Sequence, residues 1–167
     1  MPEEYLDIVN EQDEVIGKDT RKNVHDNHRI HRGVHVIVVN SRGEILIQKR
    51  SKAKDYYPGY FDMSVGAQVQ SGESYEESAI RELYEELGCS TSELNYIGDY
   101  DAYSERQREK RRLFIHICEG PFSPSSDEIE SIAFMSIDDI ARAMENEPFT
   151  EGFKNSFKIY VDSIRKL

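Results

Sequence analysis

Gly72-Glu73-Ser74-Tyr75-Glu76-Glu77-Ser78-Ala79-Ile80-Arg81-Glu82-Leu83-Tyr84-Glu85-Glu86-Leu87-Gly88-Cys89 carries the strongest local signal in the chain. Ser74 followed three residues later by Glu77 makes a capping box, in which each residue satisfies a backbone amide of the other. Gly88 supplies the left-handed residue on which a helix stops. Between these signals Ala79, Ile80, Leu83 and Leu87 recur at helical spacing and form one apolar stripe. At ~100° per residue, Glu82, Glu85 and Glu86 share a narrow arc about a third of a turn from that stripe. The pattern predicts a helix anchored by its inner face, with three carboxylates on the outside. Like charges at these spacings each cost roughly a few tenths of a kcal/mol, and the helix C-terminus is the unfavourable end for anions. A hard cation such as Mg²⁺ or Mn²⁺ removes the conflict, because it prefers oxygen ligands and leaves positions open for water or phosphate. The plainer alternative is a solvated acidic face.

Before this helix, Tyr5–Val9 and Glu14–Ile16 flank the polar Asn10–Asp13 and read as a hairpin. Thr20 to Asn27 has room for one helical turn. His31 to Asn40 is a strand that Ser41-Arg42-Gly43 turns back into Glu44–Arg50, the clearest hairpin in the sequence. A loop with Pro58-Gly59 follows, then a strand over Phe61–Val65 and a loop over Gly66–Gly72. After the helix, strands are expected near Leu94–Tyr103, Leu113–Cys118 and Glu130–Met135. Ser136 caps a helix reaching Met144, and Thr150 to Leu167 is a terminal amphipathic helix. Strands in runs with helices in the middle and at the end give a mixed α/β (α+β) class.

The 167 residues are expected to form one domain over 1–167, with 1–30 as an amino-terminal extension. With 32 acidic against 21 basic residues the net charge is -11, which argues against binding a nucleic-acid backbone by general attraction. Met1-Pro2-Glu3-Glu4 lacks the basic and apolar regions of a secretory signal, and the apolar run around Val36–Val39 is too short for a bilayer. Cys89 and Cys118, the two cysteines, suggest a reducing compartment without a disulfide framework. A cytoplasmic location with no membrane partner is the expectation. Cys89 is read as packing at the helix end, not as a nucleophile.

From Glu73 the chain reads Glu-x7-Arg81-Glu82-Leu83-x-Glu85-Glu86-x-Gly88-Cys89, which resembles the Nudix hydrolase signature G-x5-E-x7-R-E-U-x-E-E-x-G-U, U being apolar. The opening glycine is the one departure: Ala67 takes its place, with Gly66 just before it. The resemblance implies an α/β/α sandwich with a mixed sheet, the hairpin extension in front, and residues 66–89 as a loop-helix-loop metal platform. It implies hydrolysis of a diphosphate linkage in a nucleoside diphosphate derivative. Glu82, Glu85, Glu86 and the Gly66 carbonyl become candidate ligands of Mg²⁺ or Mn²⁺, and Glu73 and Arg81 orienting groups. Glu85 is the first candidate for the base that takes a proton from water. Glu128, in an Asp127-Glu128-Ile129 run similar to the family's acidic turn, and Glu119 are the distal candidates.

The flanks narrow the likeness. Gln48-Lys49-Arg50-Ser51, Asp55, Pro58-Gly59, Asp62 and Ser64-Val65-Gly66 look like the branch related to isopentenyl-diphosphate isomerase. That enzyme's Ser-Val-Cys-Gly-His-Pro run is here Ser64-Val65-Gly66-Ala67-Gln68-Val69, so its thiol and one imidazole are replaced. Its two strand acids fall approximately on Lys110 and Arg112. Isomerisation is therefore the alternative activity, and a non-catalytic nucleotide-sensing module the second alternative. His25, His28, His31 and His35 read as structural or substrate-contacting residues ahead of a zinc site. Arg50, Lys54, Tyr57 and Gln68 are the candidate substrate contacts. The basic run Arg106 to Arg112 suits either phosphate or a strand edge kept charged.

Overall fold

The computed structural model describes residues 2–167. At its centre β3 (Ile30–Val39) lies parallel to β8 (Arg108–Ile117), in register from Ile30 against Arg108 to Val39 against Ile117. Because strand side chains alternate, the apolar run of β3 serves two cores. Val34, Val36 and Val38 pack with α2 (Tyr75–Leu87), whereas Ile37 and Val39 pack beneath α3 (Ile137–Ala143) and α4 (Glu151–Arg165). Helices thus cover both faces of a mixed seven-stranded sheet, in which β7 (Asn95–Tyr103) runs antiparallel to β8. Among the described residues no helix is long and apolar enough to cross a membrane.

The expected hairpin between β3 and β4 (Ile45–Arg50) exists only at its turn. Asn40 accepts from the amides of Arg42 and Glu44, and a single pair, Val39 against Ile45, joins the strands before they part. β4 pairs instead with β9 (Ile129–Met135) and the short β5 (Phe61–Asp62), and the freed edge of β3 takes β6 (Val65–Gln68). The stretch read as one strand followed by a loop is therefore two strands, and Gly66 to Gln68 belongs to the second. Ser64 fills the gap where the strands part: its buried hydroxyl accepts from Val38 N–H at 2.9 Å and donates to Leu46 O at 2.5 Å. Gln48 is thereby presented to the opening wedge. β8 is paired on both sides, so the basic run Arg108 to Arg112 is no strand edge.

The amino-terminal β1 (Tyr5–Val9), β2 (Val15–Thr20) and one-and-a-half-turn α1 (Arg21–Asp26) form a separate two-stranded unit laid against this frame. Leu6, Val9 and Val24 are fully buried there. Asp7 accepts from Ser71 Oγ and the Gly72 amide, tying the unit to the loop that leads into α2.

Candidate active site

α2 forms as its sequence predicts. Ser74 Oγ accepts from the Glu77 amide, the Glu77 carboxylate accepts from the Ser74 amide, and Gly88 closes the helix at φ 68°. Ala79, Leu83 and Leu87 are buried against the sheet. The outer arc is graded: Glu86 is only 8% exposed, Glu82 is half-buried and Glu85 is exposed. Arg81 organises this arc. Its guanidinium clasps Glu73 through two bonds, at 2.7 and 2.9 Å, and donates to Glu82 at 2.6 Å and Glu85 at 3.1 Å. The Arg81 partner holds the Glu73 carboxyl below its ordinary value, and through Arg81 Glu73 is linked to both Glu82 and Glu85.

A cavity of about 280 Å³ opens beside the helix, lined by Glu82, Glu85, Glu86, Gly66, Gln68, Lys54 and Glu128, together with Ala67 and Ser125. The loop between β8 and β9, residues 118–128, makes this possible: the Ser123 and Ser125 amides donate to Leu87 O and Glu86 O, folding the loop back over the helix end. Glu128 is ion-paired with Lys54. Three expected residues lie elsewhere. Glu119 accepts from the Ser41 amide at the β3–β4 turn, because β8 ends paired with Val39, the residue that leads into that turn. Arg50 is spent on the loop that follows it, donating to Tyr56 O at 2.8 and 3.1 Å and to Asp62 at 3.4 Å. Tyr57, at φ 50°, turns its ring onto Tyr60 rather than into the cavity.

The extension supplies residues that the sequence reading did not name. Glu4, Leu6 and Arg21 line the same cavity. Arg21 Nε donates to Gln68 Oε1 at 2.8 Å. The Gln68 amide faces His25 Nε2 at 2.7 Å and His31 Nε2 at 3.2 Å, and His31 Nδ1 meets Arg29 O at 3.0 Å. An amide nitrogen only donates, so both imidazoles accept through Nε2; burial lowers the His25 pKa. His35 is buried between Ser156 Oγ at 2.7 Å and Arg111 at 3.2 Å. His28 contacts Ser104 O. These histidines are tied into the packing. The residues facing them from β8 are Glu109 and Arg111, not Lys110 and Arg112, which point to the other face toward Asp101 and Asp99. Glu109 is buried, 1% exposed, and its carboxylate is held by Arg111 at 2.6 Å.

The cavity's charge balance suits a divalent cation. Burial, then the charges of Glu82 and Glu128, push the Glu86 carboxyl well above the usual range, and its one hydrogen bond is a long one from Gln48 Nε2, at 3.3 Å. Burial raises Glu82 as well, despite Arg81. Lys54 and Arg21 are the cations that line the cavity, against five carboxylates. Oxygen donors of this kind, converging under a deficit of positive charge, match Mg²⁺ or Mn²⁺ and not a softer ion. A larger hollow of about 400 Å³ beside Tyr75 and Tyr96 has its cations, Arg32 and Arg112, already paired with Asp13 and Asp99.

Residues 29–155 match the family model described as the NUDIX domain. An uncharacterized Nudix hydrolase of Yersinia pestis is 37% identical over 146 residues, covering 87% of this chain and 80% of that protein. The uncharacterized Nudix hydrolase YfcD of Escherichia coli K12 is 34% identical, with 87% and 81% covered. A crystal structure of a protein from Deinococcus radiodurans superposes with a TM-score of 0.81 at 27% identity, covering 93% of this chain and 98% of that one. On these matches the chain belongs to the Nudix family and is a Nudix hydrolase.

Proposed function

We propose that the chain hydrolyses a diphosphate linkage in a nucleoside diphosphate derivative, with Mg²⁺ or Mn²⁺ held by Glu82, Glu85, Glu86 and the Gly66 carbonyl. The observation that carries this reading is the convergence of the three helix carboxylates and Gly66 on one cavity whose negative charge is only partly compensated, with Glu86 meeting no cation directly among the described residues. A divalent ion bound there supplies neutralisation of phosphate oxygens and acidifies water.

The chain's own groups do the rest. Arg81 fixes Glu82 and Glu85 from behind, leaving their free oxygens toward the cavity. Gln48, fixed by Ser64 O at 3.2 Å, holds the buried Glu86 in place. Arg21 and Lys54, from opposite sides of the opening, meet phosphate oxygens that the acidic surface otherwise repels. Glu85, the most exposed of the three helix carboxylates, takes the proton of the attacking water, and Glu128 across the cavity is the second candidate. Isomerisation is disfavoured: Gly66 offers no side chain to move a proton, and the nearest strand acid, Glu109, is neutralised by Arg111.

A phosphate-release screen over nucleoside triphosphates, nucleotide sugars and dinucleotide polyphosphates, with isopentenyl diphosphate as a control, tests the reading. Hydrolysis of at least one nucleotide is expected, and Glu86→Gln should lower turnover on the order of 100-fold, about 3 kcal/mol of transition-state stabilisation. An unchanged rate in that variant at saturating metal, or turnover of isopentenyl diphosphate alone, overturns it.

A further inference from the structure

Just past the C-terminal end of α2, beyond the last of its carboxylates, three soft ligands meet. Cys89 follows the helix cap, and His116 and Cys118 stand two residues apart at the end of β8, on the same side of the strand. One ligand atom from each lies within 4.8 Å of the other two, and the two thiols form no disulfide, Cys89 Sγ donating a hydrogen bond to Cys118 Sγ at 3.3 Å. Cys89 is buried, whereas His116 and Cys118 are half-buried, so the cluster has a solvent-facing side. Its apolar surround includes Leu87, Leu94 and Phe122. The His116 ring meets neither a hydrogen-bond partner nor a charge among the described residues. Core packing accounts for two thiols; it does not account for an imidazole placed beside them with both nitrogens unengaged.

We propose that Cys89, His116 and Cys118 form a binding site for a soft divalent ion, Zn²⁺, distinct from the carboxylate site on the same helix. Zinc takes thiolate and imidazole ligands in a tetrahedron, with Zn–S ~2.3 Å and a sulfur–sulfur edge of ~3.8 Å. The two sulfurs therefore need to open by only ~0.5 Å. Solvent fills the fourth position from the exposed side. Two thiol protons leave as the ion enters, and two thiolates with one imidazole leave the complex neutral, which suits a half-buried apolar setting. The same ligand chemistry separates the two sites: thiolates reject Mg²⁺ and Mn²⁺, and the oxygen set of the cavity favours them. The bound ion would clamp the end of α2, the helix that carries the cavity's carboxylates, to the end of β8.

The test uses the full chain, reduced and freed of metal, titrated with Zn²⁺ against a chromophoric chelator in millimolar magnesium. One equivalent should bind with release of protons, and Co²⁺ should give the thiolate charge-transfer band and the visible bands of a tetrahedral complex. Cys118→Ser and His116→Ala, both at half-exposed positions, should each weaken binding about 100-fold or more and remove or shift those bands. Glu86→Gln should leave zinc binding unchanged, which keeps this result separable from the active-site reading. Absence of stoichiometric binding by the reduced chain overturns the proposal. So does binding that survives the Cys118 and His116 changes, or a cysteine pair that closes to a disulfide under mild oxidation while the reduced chain takes up no zinc.

Discussion

Glu86 is where stability and chemistry pull apart. Its carboxyl is buried by the helix, the distal loop and β4, and has one long hydrogen bond to offset desolvation. A raised native pKa means that the unfolded chain gives up its proton first as pH rises past the ordinary value of 4.5, so stability is lost from there upward until the native group also ionises. Glu86→Gln removes that loss and keeps an acceptor for Gln48. In metal-free protein it should therefore raise stability by about 1–3 kcal/mol near pH 7 and by nothing near pH 4, measured by urea denaturation at both values. A destabilised variant at pH 7 would show that the carboxylate is already compensated. Arg21 behaves differently because it is half-exposed and acts on whatever enters the cavity. Arg21→Ala should raise KM about 10-fold with little change in kcat, the signature of a contact made equally before and during reaction. A fall in kcat alone would place Arg21 against the transition state instead.

Among the elements, α2 and the central strands decide the site, and they were not equally readable. The start, stop and inner stripe of α2 are written locally in Ser74, Glu77, Gly88 and the apolar spacing, and the fold neither adds to them nor overrides them. The parting of β3 from β4 is not local: it follows from β8, nearly eighty residues on, taking the other side of β3, and no turn residue announces that. The same distance hid Glu109. Apolar patterning in β8 begins at Leu113, but the ladder with β3 begins at Arg108, beneath charged residues, so counting from the apolar part slips by one position and reverses every side chain. Gln68 kept its place and changed its surroundings, since the histidines it orders come from an extension whose docking no motif signals. Ser64 makes the parting of the strands tolerable by replacing two ladder bonds with its hydroxyl. Ser64→Ala should cost about 2–4 kcal/mol in denaturant unfolding, because Val38 N–H and Leu46 O are left buried and unpaired. A loss below about 0.5 kcal/mol would mean that the backbone closes the gap unaided.

For the molecule as a whole, the question is whether the extension is an appendage or part of the body. The family model begins at residue 29, yet residues before it contribute Arg21, Glu4 and Leu6 to the cavity. They also stitch distant parts together. Asp13 accepts from Arg32 at 2.7 Å and from the Tyr75 hydroxyl at 3.0 Å, and Glu11 takes Arg108 and Tyr103. Leu6, Val9 and Val24 are fully buried, and removing all three forfeits roughly 5–9 kcal/mol of burial before any polar contact is counted. That is comparable with the whole stability of a typical domain, ~5–15 kcal/mol. A chain starting at residue 29 should therefore lose cooperative unfolding and near-ultraviolet circular dichroism, and the milder Asp13→Ala should cost about 2–3 kcal/mol by unpairing Arg32 and Tyr75 together. A truncated chain that still melts cooperatively, and that hydrolyses substrate with only KM raised, would reverse the conclusion: the extension would then be a specificity device resting on a body that folds without it.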